Sequence, residues 1–162
     1  MKWLARILCS ITEKILFVLL SAMTVIVFAQ VLSRYVFHTP LYWTEEAARY
    51  LQIWIVFLGA SVGIRRGAHL GFTWFVERAR TKMKTACAII SAVGLFAFSV
   101  NITYYGTIIS LQNLGQLSPG LQMPIAYLYA CLPVGGILCI IQLIPILKDL
   151  FVLTKTAKAS QS

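Results

Sequence analysis

The length of the uncharged stretches constrains this chain more than any other feature. From Thr85 to Leu147 there is no acidic, basic or histidine residue, and the shorter stretches 15–33 and 50–64 are also uncharged. One membrane span needs about 20 apolar residues, so the longest stretch is sufficient for two spans. The polar segment 112–124, which contains Gly and Pro, divides it. We therefore predict an all-α integral membrane protein with four transmembrane helices.

The composition supports the same fold class. Of the 162 residues, 59% are hydrophobic and 12% are charged, about half the charged fraction of a soluble domain. A short interfacial segment is expected between the second and third helices, and residues 1–14 are expected to form a helical turn or two on the membrane surface. The prediction is a single four-helix membrane domain over 1–162, with spans near 15–36, 44–66, 85–111 and 124–147 and a tail at 148–162.

The basic residues predict the orientation. Twelve of the fourteen Lys and Arg residues lie in the N-terminal segment, in the connection between the second and third helices, or in the tail. The positive-inside rule makes these parts cytoplasmic, so both termini are expected in the cytoplasm and the 112–123 turn outside. The net charge of +9 is thus explained by topology, and no nucleic acid is expected as a partner.

A cleavable signal peptide is the competing interpretation of the first span. The start of the chain is basic, and residues 27–29 resemble a cleavage site. Against cleavage, the apolar run continues through Val31 and Leu32 and ends in aromatic residues typical of a membrane interface. We therefore expect the span to be retained.

The second span has polar residues at both of its ends. Thr44 is predicted to be the N-cap, because its hydroxyl can accept a hydrogen bond from a free backbone N–H of the first turn. Acids in the first turn and arginines in the last turn suit the helix dipole, and Gly67 is a typical stop. These end residues are Glu45, Glu46, Arg65 and Arg66.

Acids and arginines near the predicted outer surface are the first candidate site. Two interpretations remain open: an ion-pair cluster that joins the first two helices and contacts a partner, or direct coupling to a substrate or ion. Trp43 is the expected interfacial anchor. We call this group the outer polar cluster, and its members are Arg34, Trp43, Glu45, Glu46 and Arg49.

No ionisable residue lies in the middle of a predicted span. A self-sufficient ion transporter usually has charged groups at mid-membrane or broken helices, so transport by this chain alone is not expected. The polar side chains that the spans do carry are predicted to form hydrogen bonds between helices. They are Gln30, Gln52, Asn101, Thr103 and Gln142.

Small residues predict where helices approach closely. Gly59 and Gly63 share one face of the second helix, where they allow a helix of this chain or of a partner to pack tightly. Gly135 and Gly136 are expected to do the same in the fourth helix, and Pro133 and Pro145 are expected to kink it.

The four cysteines do not indicate an enzyme. Cys9, Cys87, Cys131 and Cys139 form no Cys-x-x-Cys pair and are expected to be free and mostly buried, without a metal. A membrane thiol oxidoreductase would need outer cysteine pairs, and a small exporter would need an acid in its first span. A self-associating four-helix channel stays open as an alternative.

Six motifs follow one another along the chain, at 30–37, 43–51, 57–60, 65–69, 116–124 and 132–136. Together they resemble one family, the small membrane subunit (DctQ/SiaQ type) of tripartite ATP-independent periplasmic (TRAP) transporters. The resemblance covers about residues 25–147, in order and with the four-span layout; only Gly120 and Gln122 depart from the family's turn pattern.

The resemblance implies a role inside a larger machine. Such a subunit scaffolds a large membrane subunit in sodium-driven uptake of an organic acid, such as sialic acid or a C4-dicarboxylate, across the bacterial inner membrane. The expected partners are the large subunit, a periplasmic substrate-binding protein and phospholipids. No cofactor or substrate site is expected in this chain, since the large subunit binds the sodium ions. The residues expected at the cytoplasmic end, near lipid headgroups, are Arg65, Arg66 and His69.

Overall fold

The computed structural model describes residues 2–39, 41–66 and 81–159. Within these ranges four helical segments are long and apolar enough to cross a membrane, which confirms the all-α class with four spans. The expected interfacial segment and His69 lie outside the described residues. The helices, numbered in chain order, are α1 (Lys2–Tyr35), α2 (Tyr42–Arg65), α3 (Thr81–Gln112), α4 (Ala126–Tyr129) and α5 (Cys131–Ala159).

Helix α1 begins much earlier than the first predicted span. It runs without interruption for 34 residues, about 51 Å at 1.5 Å per residue. Residues 2–39 contain neither Gly nor Pro, so nothing in the backbone chemistry stops the helix near Lys14. The expectation of a separate surface turn over 1–14 is therefore wrong, because the same helix continues through this segment.

The start of α2 also differs from the prediction. The helix begins at Tyr42, and its N-cap is Leu41, which supplies no capping side chain. Thr44 is buried, and its hydroxyl donates to the Leu41 carbonyl at 2.6 Å. Thr44 is thus inside the first turn rather than at the N-cap, and its hydroxyl donates to the carbonyl three residues earlier instead of accepting a backbone N–H.

The long helices pack as an open row. Helix α1 packs on α2, α2 packs on α5, and α5 packs on α3, so α1 and α3 form the two edges. The small core lies between α2 and α5 around Ile64, Cys139 and Leu143. The most apolar 18-residue window of α1 contains no buried residue, whereas a third of the corresponding window of the fourth span is buried. The edge helix α1 therefore presents its apolar surface outward.

Two adjacent glycines bring α5 close to both of its neighbours. A Cβ built on Gly135 would lie 2.8 Å from the Cβ of Phe57 in α2. A Cβ built on Gly136 would lie 3.1 Å from the Ser99 carbonyl oxygen and 3.2 Å from the Thr103 backbone nitrogen, both in α3. Consecutive helical residues point about 100° apart, so one glycine faces each neighbour. The predicted packing role of this pair is confirmed.

The fourth span consists of α4 and α5, which meet at Ala130. Pro133 has no backbone N–H for the Tyr129 carbonyl, and it stands in the first turn of α5, where that loss is tolerated. Pro145 lies inside α5, and the helix continues past it. The two prolines therefore act differently: Pro133 accompanies an interruption, and Pro145 does not terminate the helix.

Candidate functional site

Polar side chains are concentrated where the long helices begin and end, on the two opposite sides of the helix layer. We call the end where α2 begins the Glu46 end and the opposite end, where α1 begins, the Glu13 end. The Glu46 end also contains the turn 113–125, which joins α3 to α4. Because α1 and α2 run antiparallel, the first residues of α1 and the last of α2 meet at the Glu13 end.

At the Glu46 end, one carboxylate holds the 113–125 turn. Glu46 Oε2 accepts the backbone N–H groups of Gly120 at 2.7 Å and Leu121 at 2.9 Å. Its Oε1 accepts the hydroxyl of Tyr50, one helical turn later, at 3.3 Å. Hydrogen bonds to an ionised acceptor are the stronger class, so Glu46 connects α2 firmly to a segment 74 residues away.

The turn itself is a compact hairpin. Ile125 N–H donates to the Gln116 carbonyl, and Ser118 N–H donates to the Met123 carbonyl, both at 2.9 Å. Ser118 is completely buried, and its hydroxyl accepts the Leu121 N–H at 3.3 Å. An added Cβ at Gly120 would collide with Glu46 Oε2, so a side chain there would displace the carboxylate from this position. The turn is therefore shaped around the carboxylate that binds it.

The other members of the outer polar cluster are distributed differently from the prediction. Arg49 pairs with Glu45 at 3.2 Å within α2, and the two side chains are 66% and 70% exposed. Arg34 forms no hydrogen bond or ion pair with any described residue. Trp43 is partly exposed and lies beside Gly120. Among the described residues, the cluster therefore connects α2 to the turn through Glu46 and forms no bond between α1 and α2.

Two further hydrogen bonds at the Glu46 end connect α4 to α2 and α3. The indole N–H of Trp54 in α2 donates to the Tyr127 carbonyl at 3.2 Å, and the Ser110 hydroxyl in α3 donates to the Ala126 carbonyl at 3.1 Å. Both acceptors are backbone groups of the short helix α4. These side chains, together with Glu46, hold the turn and α4 against α2 and α3.

At the Glu13 end, α2 is joined to α1 by an ion pair. Arg66 donates from Nε and Nη2 to Glu13 Oε1, at 3.1 and 2.9 Å. The Cys9 thiol donates to the same oxygen at 3.6 Å. The pair is partly exposed, so its own contribution to stability is modest, at most about 1 kcal/mol.

A buried amide joins three helices at the Glu13 end. Gln142 in α5 is 2% exposed. Its Oε1 accepts a hydrogen bond from Arg65 Nη1 at 3.2 Å, and its Nε2 donates to the Ala5 carbonyl at 3.1 Å. The prediction that Gln142 bonds between helices is confirmed.

The same prediction is wrong for two other polar residues of the spans. The Asn101 amide donates to the Ala97 carbonyl at 2.9 Å, and the Thr103 hydroxyl donates to the Ser99 carbonyl at 2.8 Å, both within α3. Each side chain reaches the carbonyl four residues earlier, an acceptor that is always available in a helix. These residues therefore satisfy themselves locally.

The glycines predicted on α2 also behave differently from those on α5. A Cβ built on Gly59 would meet no atom of the described residues within 4 Å. Gly59 is therefore not a close contact between the described helices, so its predicted packing role would involve a partner helix. The packing role of Gly63 stays a prediction, toward a helix of this chain or of a partner. Another close approach between described helices is at Gly106, where an added Cβ would lie 3.1 Å from Pro133 Cδ.

Two anchoring residues were not among the predicted site residues. Glu13 is the only acid in the basic N-terminal segment, and the antiparallel topology places it beside the arginines at the end of α2. Gly120 follows Pro119, and this Pro-Gly pair predicted a turn but not that the turn would bind a carboxylate.

The cysteines are free: Cys9, Cys131 and Cys139 are buried and Cys87 is exposed.

Comparison with known proteins identifies the family. The family model described as "Tripartite ATP-independent periplasmic transporters, DctQ component" matches residues 23–152. The chain is 31% identical over 91 residues to the C4-dicarboxylate TRAP transporter small permease protein DctQ of Vibrio cholerae, which covers 56% of this chain and 39% of that protein.

Two further relatives differ in how much of their length is matched. The sialic acid TRAP transporter permease protein SiaT of Haemophilus influenzae is 32% identical over 74% of this chain, but only 19% of that protein is covered. The small permease protein SiaQ of Vibrio cholerae is 24% identical over 85% of this chain and 79% of its own length. Since the family model spans most of the sequence, the chain belongs to the DctQ component family of the tripartite ATP-independent periplasmic transporters.

Proposed function

We propose that this chain is the small membrane subunit that enlarges the static scaffold of a TRAP permease. In this proposal it packs against a large membrane subunit during sodium-driven, binding-protein-dependent uptake of an organic acid across the inner membrane. The large subunit binds the substrate and the sodium ions, and this chain requires no cofactor. The chain itself is a multi-pass membrane protein and a transport component rather than an enzyme.

The observation that carries this proposal is the open row of helices. The described long helices form a single layer that encloses no path between them, and the edge helix α1 leaves its apolar window uncovered. The stretches 15–33, 50–64 and 85–147 carry no charge that could guide an ion or an organic anion. A broad apolar surface without a transport path is what a scaffold subunit needs to pack against another membrane protein.

The relatives support a larger partner. SiaT is a permease protein of which this chain resembles only 19%, so most of that protein has no counterpart here. We infer that the large membrane subunit of the proposal corresponds to the remainder of such a permease. Relatives named for C4-dicarboxylate, sialic acid and ectoine indicate small organic acids or zwitterions as the substrate class.

The orientation belongs to the same proposal. With the basic connections in the cytoplasm, the Glu13 end is cytoplasmic and the Glu46 end is periplasmic. The exposed members of the outer polar cluster, Arg34, Glu45 and Arg49, then lie on the side where a periplasmic substrate-binding protein docks onto the complex.

The experiment that tests the proposal is purification of the tagged chain from its native membranes in a mild detergent, with mass spectrometry of the co-purified proteins. We expect one larger multi-span protein in a fixed ratio. Reconstituting both proteins with the matching binding protein should give uptake that depends on a sodium gradient, whereas neither membrane protein alone should transport. Recovery of only a homo-oligomer that conducts ions would overturn the proposal in favour of a channel.

A further inference from the structure

A second feature of the Glu13 end is an open cavity between α1 and α2. Its volume is about 290 Å³, roughly ten times the share of one water molecule in the liquid. It therefore has room for a tetrahedral anion with several waters. The residues that line it are Arg6, Cys9, Ser10, Glu13, Arg65 and Arg66.

The cavity carries an excess of positive charge. Three arginines face one glutamate, so its formal net charge is +2. Glu13 Oε1 already accepts two bonds from Arg66 and one from Cys9. The charge of the single acid is thus paired with Arg66, and the other two arginines have no counterion among the residues whose side chains the structure describes.

The arginines also have unused donors. A guanidinium group has five N–H donors in a planar fork that matches phosphate oxygens. Arg6 is exposed and forms no hydrogen bond with any described residue, and Arg65 uses Nη1 for Gln142. The Gln142 amide holds Arg65 in place at the wall of the cavity. One arginine is therefore pre-oriented and a second is free to close on a ligand.

The depth of the cavity in the membrane points to the source of the ligand. Counted back from Tyr35, the hydrocarbon core of about 30 Å accounts for some 20 residues of α1 and ends near Ile15. Residues 6–13 then lie in the headgroup layer, where phospholipid phosphates are concentrated. Basic pockets between transmembrane helices at this depth bind anionic headgroups.

We propose that this cavity is a binding site for the phosphate group of an anionic phospholipid, with Arg6 and Arg65 as the main donors. Ser10 also lines the cavity, and its hydroxyl is an additional donor. The site does not depend on the substrate or on the large partner subunit, only on insertion of the chain into a membrane. Binding there would clamp the start of α1 to the end of α2.

The test uses the purified full chain in a nonionic detergent. Native mass spectrometry would count retained phosphatidylglycerol, with phosphatidylcholine and inorganic phosphate as competitors. We expect one tightly retained phosphatidylglycerol per chain that neither competitor displaces. Arg6→Gln should weaken retention about tenfold, the loss expected for one charge-assisted hydrogen bond, and Arg6→Lys should weaken it less.

Lys14→Gln is the matched control. It removes one positive charge from the exposed surface of the same helix, outside the cavity, and should leave retention unchanged. Equal weakening by Lys14→Gln and Arg6→Gln would overturn the proposal, since retention would then follow surface charge alone. Displacement of the lipid by inorganic phosphate at comparable concentration would also overturn it, because the site would then belong to a soluble phosphate. Arg6 has no bond within the described chain, so neither Arg6 variant should disturb folding.

Discussion

The carboxylate of Glu46 accepts the backbone N–H of Gly120 at 2.7 Å, across 74 positions of sequence. This contact fixes the 113–125 turn to the start of α2. The bond depends on an acid at one position and on the absence of a side chain at the other, because an added Cβ at Gly120 would collide with Glu46 Oε2.

Replacing Glu46 by Gln should loosen the turn. The amide keeps one acceptor oxygen but loses the charge that strengthens both backbone bonds. Hydrogen–deuterium exchange of the Gly120 and Leu121 amides in detergent should therefore speed up. Glu45→Gln is the control, since it makes the same change one residue earlier at an exposed pair. Equal exchange in the two variants would contradict the role assigned to Glu46.

Gly135→Ala should destabilise the packing of α5 on α2. The new Cβ would lie 2.8 Å from Phe57 Cβ and 3.3 Å from its carbonyl carbon, so the helices must separate. Overpacking of this kind costs about 1–3 kcal/mol, which thermal unfolding in detergent would detect. Gly94→Ala adds the same methyl group where no described atom lies within 4 Å, and it should be neutral or slightly stabilising. A stability of Gly135→Ala equal to that of Gly94→Ala would show that the close approach is absent.

Gln142→Leu should weaken the junction of α1, α2 and α5. The change keeps the side-chain size but removes the bonds to Arg65 and to the Ala5 carbonyl. Hydrogen bonds between membrane helices contribute about 0.6 kcal/mol each and rarely more than about 1.7 kcal/mol, so a loss of about 1 kcal/mol is expected by thermal unfolding. Asn101→Leu removes an amide that bonds only within α3 and should change stability less. The reverse order of the two variants would refute this assignment.

The variant Gly59→Ala tests whether Gly59 packs against a helix of this chain or against a helix of a partner subunit. The isolated chain should unfold at an equal or slightly higher temperature, since Ala favours a helix over Gly by about 1 kcal/mol and meets no described atom within 4 Å. Recovery of the large partner in the affinity purification should fall if its helix packs there. Unchanged recovery would remove Gly59 from the predicted interface.

The orientation can be tested with a membrane-impermeant thiol reagent in a Cys87→Ser background, since Cys87 is the exposed native cysteine among those described. Gln122→Cys in the turn should react in spheroplasts. Trp3→Cys, at an exposed position near the start of α1, should react only after lysis. Labelling in the opposite order would place the Glu13 end outside.

The layout of spans could be predicted because it depends on hydrophobic run length, a property of single segments. Side-chain contacts at the helix ends depend on which helices are neighbours and how they are rotated. Only some of those contacts were predicted. Arg34 was expected to join the acids of α2, but it makes no bond with a described residue, whereas Glu13 meets Arg66. A pairing of this kind follows from helix rotation, which uniformly apolar helices do not reveal in their sequence.

The glycines show the same division. Gly135 and Gly136 pack against neighbours as expected, whereas Gly59 does not, although each of the three could be called a small residue at a helix face. The difference lies in the neighbouring helices of the same chain. Phe57 and Thr103 lie against the glycines of α5, whereas no described residue approaches Gly59. Spacing alone predicts where a close approach is possible and not which helix makes it.

The open row of helices also determines where this protein should tolerate mutation. In a globular domain, sensitive positions surround one centre. Here most contacts between the long helices run along three seams, α1 with α2, α2 with α5, and α5 with α3. A complete substitution scan of the isolated chain should therefore give three narrow lines of intolerant positions separated by broad strips that accept any lipid-compatible residue. Any additional strip that becomes intolerant only in the assembled complex would trace the footprint of a neighbouring subunit.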